Sequence, residues 1–415
     1  MAALDPSERR VIPNPHSPIP GRSVPGLYVH VPFCSSICNY CNFNRGLFDE
    51  TLKTRFVEAL LQEMQEAARG IREKAPGGVF ARSTPKTPPG AFFDTLYFGG
   101  GTPSLLTPTE IRSIIDAGCD SLGLTADAEI TLEANPETVT AFTLEQFRTA
   151  GVNRLSFGVQ SFRDEELKRL GRLHTAERAM QAVELARAAG FDNVSIDLMM
   201  WLPGQDVAQW LTSVDAAIRV NADHLSLYIL EVYPHLPLKQ DIDRYGWTQV
   251  PDDAAADMYE SAMARLDAAG YEQYEISNVS RAGRESRHNV KYWTDGDWLG
   301  FGPGAHSTWD GTRWRNLAST EEYIDRIARG ESAVVDRRTL TDEERLGDAL
   351  FTGLRLSCGV DVDLLSMRYG VDIWRRFGDR LAPFLEAGIL LRQDARLRLT
   401  RPGMLLANEV MSVFV

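Results

Sequence analysis

Residues 26–43 read GLYVHVPFCSSICNYCNF and place Cys34, Cys38 and Cys41 in the pattern C-x3-C-x2-C, directly after a strand-like run. A cubane iron–sulfur cluster has four irons and normally takes four cysteines. Three thiolates therefore leave one iron open to a small chelating ligand. An open position on a metal is typical of chemistry rather than of a purely structural site. This stretch predicts a [4Fe–4S] cluster with one exchangeable ligand.

The composition limits the classes of protein to which this chain can belong. The chain has 415 residues, of which 44% are hydrophobic and 24% charged, so a sizeable core is expected. Its net charge of −13 argues against a nucleic-acid partner, because nucleic-acid affinity depends mainly on neutralising phosphates. Five cysteines, three of them clustered, fit a reducing compartment better than a disulfide framework. The sequence has neither a bilayer-length apolar run nor an apolar signal core, so we expect a cytoplasmic protein.

Short apolar runs alternate with amphipathic stretches through the first half of the chain. The predicted strands cover residues 27–31, 95–98, 129–132, 154–159, 194–198 and 224–230. The predicted helices cover residues 51–69, 108–119, 144–150, 175–189 and 207–219. Alternating strands and helices indicate parallel βα units, and six units are too few for a closed eight-stranded barrel. We therefore predict an α/β fold with a partial (β/α)6 barrel that carries its chemistry at the carboxyl ends of the strands.

The remaining segments depart from this alternation. Residues 1–25 are predicted to be a disordered lead-in, and the glycine- and proline-rich residues 70–90 a long surface loop. Near the C-terminus, helical patterns cover residues 343–355, 364–369, 374–387 and 402–414, and strand patterns cover residues 389–391 and 397–399. They predict a mostly helical, winged-helix-like domain. The proposed division is lead-in 1–25, barrel 26–235, barrel extension 236–340 and C-terminal domain 341–415.

Further motifs accompany the cysteines over nearly the whole chain from residue 27 onward. They are YVHVPF (28–33), FGGGTP (98–103), EANPE (133–137), LSFGVQS (155–161), Asp197 and SRHNVKYW (286–293). Together with C-x3-C-x2-C they resemble the radical S-adenosylmethionine (SAM) proteins. More narrowly, the chain resembles the oxygen-independent coproporphyrinogen III oxidase (HemN-like) family and, within it, the HemW-type haem chaperones.

This resemblance implies that SAM chelates the open iron and that an electron from the cluster breaks one of its carbon–sulfur bonds. It assigns SAM contacts to Tyr28, Tyr40, Gly100, Gly101, Thr102, Glu133, Gln160, Arg172 and Asp197. Tyr40 is expected against the adenine, and Glu133 at the ribose hydroxyls or the ammonium group. The glycines let the backbone approach a ligand and are expected to offer free N–H groups.

Several of these assignments keep an alternative. In the oxidases, Gln160, Arg172 and Asp197 match residues that serve a second SAM, so the number of SAM molecules stays open. The structural alternatives are a buried strand tyrosine at Tyr28, a core tyrosine at Tyr40, a solvated carboxylate at Glu133 and a surface cation at Arg172. Cys119 and Cys358 are expected to be small buried side chains rather than ligands.

The haem-related residues separate the two branches of the family. The oxidases show C-x3-C-x2-C-x-C, and the resemblance ties the additional cysteine to decarboxylase activity; here Phe43 takes its place. Its absence and the motif HNVKYW (288–293) favour the chaperone branch. Imidazole is a common axial ligand of haem iron, so His288, in a predicted loop, is the haem-ligand candidate.

The neighbours of His288 complete this hypothesis. Arg287 is expected to pair with a haem propionate, and Tyr292 and Trp293 to pack on the porphyrin face. His306, in GFGPGAHS (300–307), is the second haem or pocket candidate. His30, in the first strand, is expected to be a hydrogen-bonded pocket wall.

We therefore expect a haem chaperone that binds haem, a [4Fe–4S] cluster and exchangeable SAM, and that passes haem to an acceptor protein. The alternatives are a coproporphyrinogen III oxidase, which decarboxylates two propionates, and a radical SAM methyltransferase. The expected partners are the haem acceptor, an electron donor such as a flavodoxin or ferredoxin, and transiently a membrane, but no nucleic acid.

Overall fold

A computed structural model describes residues 24–74 and 92–415. The strands of the first half are β1 (Gly26–Val31), β2 (Phe33–Cys34), β3 (Gly46–Leu47), β4 (Phe93–Gly100), β5 (Leu124–Ala134), β6 (Arg154–Gln160), β7 (Val194–Met200) and β8 (His224–Ile229). The helices between them are α1 (Glu50–Lys74), α2 (Pro108–Ala117), α3 (Ala141–Ala150), α4 (Asp164–Arg169), α5 (Ala176–Ala188) and α6 (Val207–Arg219). Each predicted barrel strand and helix is present.

Strands β1, β4, β5, β6, β7 and β8 pair in parallel in that order, which confirms the partial (β/α)6 barrel. Alternate residues of a strand face opposite sides of the sheet. One side is apolar and packs on the helices, as Leu27 and Leu132 do. The other side is polar and lines the interior, as Tyr97 and Glu133 do. Closed barrels of this kind fill the interior with apolar layers, so the polar interior marks a site.

The middle of the chain extends this sheet on both sides. Its strands are β9 (Glu272–Glu275), β10 (Asn278–Ser280), β11 (Trp298–Phe301), β12 (His306–Trp309), β13 (Thr312–Asn316) and β14 (Val334–Thr339). Its helices are α7 (Pro237–Tyr245), α8 (Asp252–Ala268), α9 (Arg287–Trp293) and α10 (Thr320–Ala328). Strand β11 pairs in parallel with β1 and leads to antiparallel β12, β13 and β14, while β10 and β9 continue beyond β8. Among the described residues the edge strands β14 and β9 do not pair, so the barrel is open.

The C-terminal part is mostly helical with a small sheet, in agreement with the winged-helix-like prediction. Its elements are α11 (Asp342–Gly353), β15 (Val360–Asp361), α12 (Val362–Tyr369), α13 (Ile373–Glu386), β16 (Leu390–Gln393), β17 (Arg396–Leu399), α14 (Arg401–Met404) and α15 (Ala407–Met411). The single terminal helix predicted at 402–414 is wrong. The backbone at Leu406 leaves the helical region, and two short helices result.

The structure corrects three further expectations. Helix α1 continues past Gly70 to Lys74, into the predicted loop 70–90. The motif around His288 is helical rather than a loop, because Ser286 caps α9 by accepting from the Asn289 N–H. The side chains of Cys119 and Cys358, expected to be buried, are exposed. The segment 236–340, predicted as a barrel extension, contributes strands to the sheet of the barrel.

Two expectations concern residues beyond the described part. Most of the predicted lead-in, 1–23, and residues 75–90 of the predicted loop lie outside the described residues. The proposed domain boundaries themselves stay a prediction. Within 24–74 and 92–415, no helix is both long and apolar enough to cross a membrane.

Candidate cluster and cofactor site

The cysteine loop connects β2 and β3 just beyond the carboxyl end of β1. Strand β2 pairs in parallel with β3, and the Cys41 N–H donates to the Cys38 carbonyl at 3.2 Å, which turns the loop tightly. The three thiols, including Cys34, are free and partly exposed. No group of described His, Cys, Asp or Glu side chains is set to hold one metal ion. A cubane cluster does not need such convergence, because each thiolate binds a different iron.

A chain of hydrogen bonds links two of the cysteines. Thr102 Oγ1 donates to Cys34 Sγ at 3.6 Å and accepts from Asn135 Nδ2 at 3.1 Å. Arg172 donates to Asn135 Oδ1 at 2.6 Å and to Cys38 Sγ at 3.5 Å. Burial raises the pKa of the Cys34 thiol, and the Thr102 hydrogen bond partly offsets that rise. Donors and a guanidinium favour thiolates, so this set of side chains fits a thiolate-bound cluster.

The role of Asn135 was missed by sequence reasoning, although the residue lies in the quoted motif EANPE. Arg172 also donates to the Gly158 carbonyl at 2.7 Å and is therefore not a surface cation. It lies beside the cysteine loop, held by β5 and β6.

The glycine motif after β4 differs from the expectation of free N–H donors. The N–H of Thr102 donates to the Phe33 carbonyl at 2.7 Å, and that of Gly100 donates to Glu133 Oε2 at 3.1 Å. The N–H of Gly101 donates to the end of β1 at 2.8 Å. A Cβ on Gly101 would lie 2.6 Å from the Phe33 carbonyl oxygen. The glycines therefore bring the backbones together, and their N–H groups are already used.

Two carboxyl groups share the barrel interior. Glu133 accepts from the Tyr97 hydroxyl at 2.8 Å, and burial, reinforced by the charge of Asp197, raises its pKa to about 7. Asp197 accepts from Ser156 Oγ at 3.4 Å, and burial raises its pKa to about 6. Glu133 on β5 and Asp197 on β7 lie on the two strands that flank β6, and the charge of Asp197 contributes to the raised pKa of Glu133. These carboxylates suit a cationic ligand such as SAM. Its positive charge would favour their ionised form and so offset the rise in their pKa values.

Arg154 is a functional candidate that the sequence did not reveal. It begins β6 on the interior face and is only 2% exposed. Its Nε is buried without an acceptor among the described residues. Its positive charge opposes the rise in the pKa values of Glu133 and Asp197. The feature of the sequence that could have identified Arg154 is a single arginine at the start of a largely apolar strand.

The interior of β1 is tied to the cysteine loop. The Tyr28 hydroxyl lies 3.1 Å from His30 Nδ1, and His30 Nε2 lies 2.7 Å from the carbonyl oxygen of Asn44, which follows the cysteines. His30 thus forms the hydrogen-bonded wall that was expected. Tyr28 is partly buried, and burial raises its pKa.

Two other predicted SAM residues lie near the same end of the barrel. Tyr40 packs on an apolar cluster that includes Leu170, Met199 and Leu230, and burial raises its pKa. Gln160, at an irregularity between β6 and β7, has φ of 70°. A non-glycine residue pays about 1–2 kcal/mol for that left-handed backbone. Such strain is concentrated at ligand sites.

The motif HNVKYW lies away from the cysteines. His288 Nδ1 is 2.9 Å from Thr95 Oγ1 and His288 Nε2 is 2.8 Å from the Tyr292 hydroxyl, so both ring nitrogens are engaged. The ring is 1% exposed, and burial lowers its pKa to about 3. The neighbouring Arg287 pairs with Asp94 at 3.0 Å. Haem ligation at His288 would therefore require the loss of two buried hydrogen bonds, and Arg287 already has an anionic partner.

Comparison with known proteins identifies the family. The sequence model of the Radical SAM superfamily matches residues 89–217, and that of the HemN C-terminal domain matches residues 340–406. The chain is 36% identical over 389 residues to the heme chaperone HemW of Bacillus subtilis, covering 94% of this chain and 98% of the relative. It is 34% identical to the mitochondrial radical S-adenosyl methionine domain-containing protein 1 of Bos taurus, with 96% and 88% coverage.

A solved structure agrees at the level of the fold. Coproporphyrinogen III oxidase (HemN) from Escherichia coli matches with a TM-score of 0.78 at 23% identity, covering 96% of this chain and 91% of that one. With the cysteine loop and the polar barrel interior, these matches establish the family: the chain belongs to the HemW family of radical SAM proteins.

Proposed function

We propose that this protein is a haem chaperone, which binds haem and transfers it to an acceptor protein. The observation that carries the proposal is the similarity to the Bacillus subtilis heme chaperone HemW over 98% of that relative's length. The relative of the same name from Lactococcus lactis is 31% identical and covers 94% of this chain. Similarity spread over the barrel, its extension and the C-terminal domain supports a shared activity better than a shared barrel alone.

The residues present fit the cofactors of the family, a [4Fe–4S] cluster and SAM. Cys34, Cys38 and Cys41 would hold three irons, and SAM would complete the fourth. When bound, the cluster supplies the electron that cleaves a carbon–sulfur bond of SAM. Arg172 holds the loop through the Cys38 thiol, and Glu133 offers a partly buried carboxylate to a cationic or hydroxyl group of SAM.

The oxidase alternative is less well supported. Phe43, in the position of the additional cysteine of the oxidases, is 70% exposed beside the cluster loop. A phenyl ring there supplies no thiol for proton or radical chemistry. The similarity to the oxidase structure, at 23% identity, speaks for the fold only.

The proposal extends to partners and location. Ile37, Phe43 and Leu47 are 46%, 70% and 62% exposed around the cysteine loop. Exposed apolar side chains beside a redox centre suit a docking electron donor, such as a flavodoxin or ferredoxin. Transient contact with a membrane and a cytoplasmic location belong to the same proposal; the free cysteines support a reducing compartment.

The experiment uses the full chain, reconstituted anaerobically with iron and sulfide. We expect titration with haem to give a saturable Soret band, and bound haem to pass to an added haem-free acceptor. The same sample is incubated with coproporphyrinogen III, SAM and a reductant. Formation of protoporphyrinogen without haem binding would overturn the proposal in favour of the oxidase.

A further inference from the structure

The barrel interior holds a buried arginine on the strand between its two carboxylates. Arg154 begins β6, which pairs with β5 on one side and with β7 on the other. It lies opposite Thr131 of β5, and two residues later Ser156 lies opposite Glu133. Because alternate residues of a strand share a face, Arg154 and Ser156 face the same interior. Ser156 Oγ also donates to the Asp197 carboxylate of β7 at 3.4 Å, so Arg154 is placed among both carboxylates.

The Arg154 guanidinium does not use all of its hydrogen-bonding capacity. The residue is 2% exposed, yet its Nε has no acceptor among the described residues. Thr131 Oγ1, on the facing position of β5, is buried and likewise has no partner in the described part of the chain. Arginine stays protonated, and a buried charge is costly unless other charges compensate it. This placement is typical of a residue that acts through its charge.

The charge of Arg154 acts on both carboxyl groups. Burial raises the pKa of Glu133 to about 7 and that of Asp197 to about 6, and Arg154 opposes both rises. Near neutral pH the two groups therefore stand close to the change from the ionised to the protonated form. A neighbouring cation decides which form prevails, because it favours the carboxylate.

The other titratable side chains described around this interior are neutral near pH 7. Burial raises the pKa values of Tyr28, Tyr97, Tyr228, Tyr274 and Tyr292. Burial lowers those of His30, His224 and His288. Two charged groups at the ends of the barrel are engaged elsewhere: Glu129 accepts from the start of α9, and Arg172 donates to Cys38. A ligand in the interior therefore meets the charges of Glu133, Asp197 and Arg154.

SAM and its demethylated form differ in the charge that such a site senses. SAM carries a sulfonium besides its ammonium and carboxylate groups, so its net charge is positive. S-adenosylhomocysteine has lost the methyl group and the sulfonium charge, and its net charge is zero. Two carboxylates and one guanidinium leave a single negative charge, which complements SAM.

We propose that Arg154 is a specificity-determining residue of the SAM site, which holds Glu133 and Asp197 in their ionised form so that the protein prefers SAM to S-adenosylhomocysteine. Arg154 acts through the two carboxylates and is therefore a positioning residue. The inference rests on the SAM site of the proposed function and does not depend on haem transfer.

The test measures the affinities of SAM and S-adenosylhomocysteine by ultrafiltration of full-length, cluster-loaded protein between pH 6 and 8.5. We expect Arg154→Met to lower the preference for SAM about tenfold at pH 7, because a carboxyl group without its neighbouring cation takes up a proton more readily. Raising the pH to 8.5 should restore most of the preference, since the carboxyl groups ionise again. Arg154→Lys keeps the positive charge and should keep most of the preference and its pH profile.

Two comparisons separate this role from a structural one. Lys53 is also 2% exposed, but it pairs with Glu50 at 2.8 Å and Glu110 at 3.2 Å on the helical layer. Lys53→Met should lower the melting temperature and leave the preference for SAM at the parent value. In the Glu133→Gln background, Arg154→Met should change the preference much less than in the parent, because one of the groups through which it acts is absent.

Melting temperature and iron content verify that each variant is folded and loaded, and Arg154→Gln takes the place of Arg154→Met if the methionine variant does not fold. A parent-like preference and pH profile in the neutral variant would overturn the inference and leave the SAM site standing. Loss of the preference in folded Arg154→Lys would overturn it as well. If the cluster-loaded parent binds neither compound, the SAM site and this inference fail together, and the haem titration decides the chaperone function separately.

Discussion

The barrel interior and the sheet extension contain similar polar side chains in opposite states. In the interior, His288 is buried and Glu133 is partly buried, and their polar atoms already bond neighbours of the same chain. On the extension, His306 is exposed and its ring has no hydrogen-bond partner among residues 24–74 and 92–415, while Arg315 has one exposed ion pair. A histidine in a motif is thus not equivalent to an available histidine.

Desolvation explains the importance of this difference. An unpaired buried polar group costs about 1–3 kcal/mol, so interior groups are paired before any ligand arrives. They preserve the shape of the SAM site. Groups on an open face lose little by changing partner, because water can replace the partner that is lost.

Breaking the cluster tests whether the two regions are independent, and it has the largest expected effect. Cys38→Ser removes one of three thiolates, so iron and sulfide retained after reconstitution should fall to a small fraction of the parent value. The haem titration of the same variant shows whether haem binding depends on the cluster. Cys119→Ser, which changes an exposed cysteine outside the loop, should retain the cluster. Loss of haem binding together with iron would show that the regions are coupled.

Neutralising the Glu133 carboxylate tests its contribution to SAM binding. Glu133→Gln should weaken SAM binding by roughly 10- to 100-fold, because a charge-assisted contact is lost. The pKa of Glu133 is raised to about 7, so in the parent SAM binding should weaken as pH falls through 7 and the carboxylate gains a proton. Equilibrium dialysis of cluster-loaded protein between pH 6 and 8 measures both.

The glutamine side chain of Glu133→Gln does not titrate. The SAM affinity of this variant should therefore change little with pH above 6.5. Weakening of the variant below that pH is expected from Asp197, whose pKa is about 6. Parent-like affinity and pH dependence in Glu133→Gln would remove Glu133 from the SAM site.

The two histidines should differ in their contribution to stability. His288→Ala leaves Thr95 Oγ1 and the Tyr292 hydroxyl without their partner and opens a cavity, so the free energy of unfolding should fall by about 2–4 kcal/mol. His306→Ala changes an exposed side chain and should stay within about 0.5 kcal/mol of the parent. Urea denaturation monitored by circular dichroism compares them. A larger loss in His306→Ala would reverse the comparison.

The smallest expected effect is a pH dependence of stability from Glu63 on α1. It accepts from Tyr323 and Asn316, each at 2.6 Å, and from the Gly302 N–H at 2.9 Å. Burial raises its pKa to about 7, so the folded state binds the proton more tightly than the unfolded state does. This contribution is complete below the unfolded pKa and is lost as pH rises through 7. From pH 6 to 8 it amounts to about 1 kcal/mol.

Glu63→Gln should remove this contribution. The difference in unfolding free energy between variant and parent should therefore shift by about 1 kcal/mol in favour of the variant from pH 6 to 8. Parallel pH profiles of the two proteins would assign the effect to other groups.

Local sequence patterns predict part of the molecule. The six barrel strands alternate with helices, and each strand keeps an apolar face, so the partial barrel and the cysteine loop were predictable. The strands β12 and β13, HSTW and TRWRN, are short and polar, and only pairing with β11 makes them strands. Sequence alone gave no reason to expect them.

Long-range contacts set the other limits. Glu129 on β5 accepts from the backbone N–H groups of Arg287 and His288, which helps to start α9 where a loop was predicted. The N–H groups of the glycine motif are used by β1, β2 and Glu133, distant partners that spacing does not reveal. The exposure that distinguishes His306 from His288 is likewise a property of the assembled sheet.

The most direct measurement is the Soret titration of the full-length, cluster-loaded protein with ferric haem, followed by transfer of the bound haem to a haem-free acceptor protein. We expect a saturable Soret band that passes from this protein to the acceptor. A folded, cluster-loaded protein that binds no haem, or that keeps its haem in the presence of the acceptor, would contradict the proposed chaperone function.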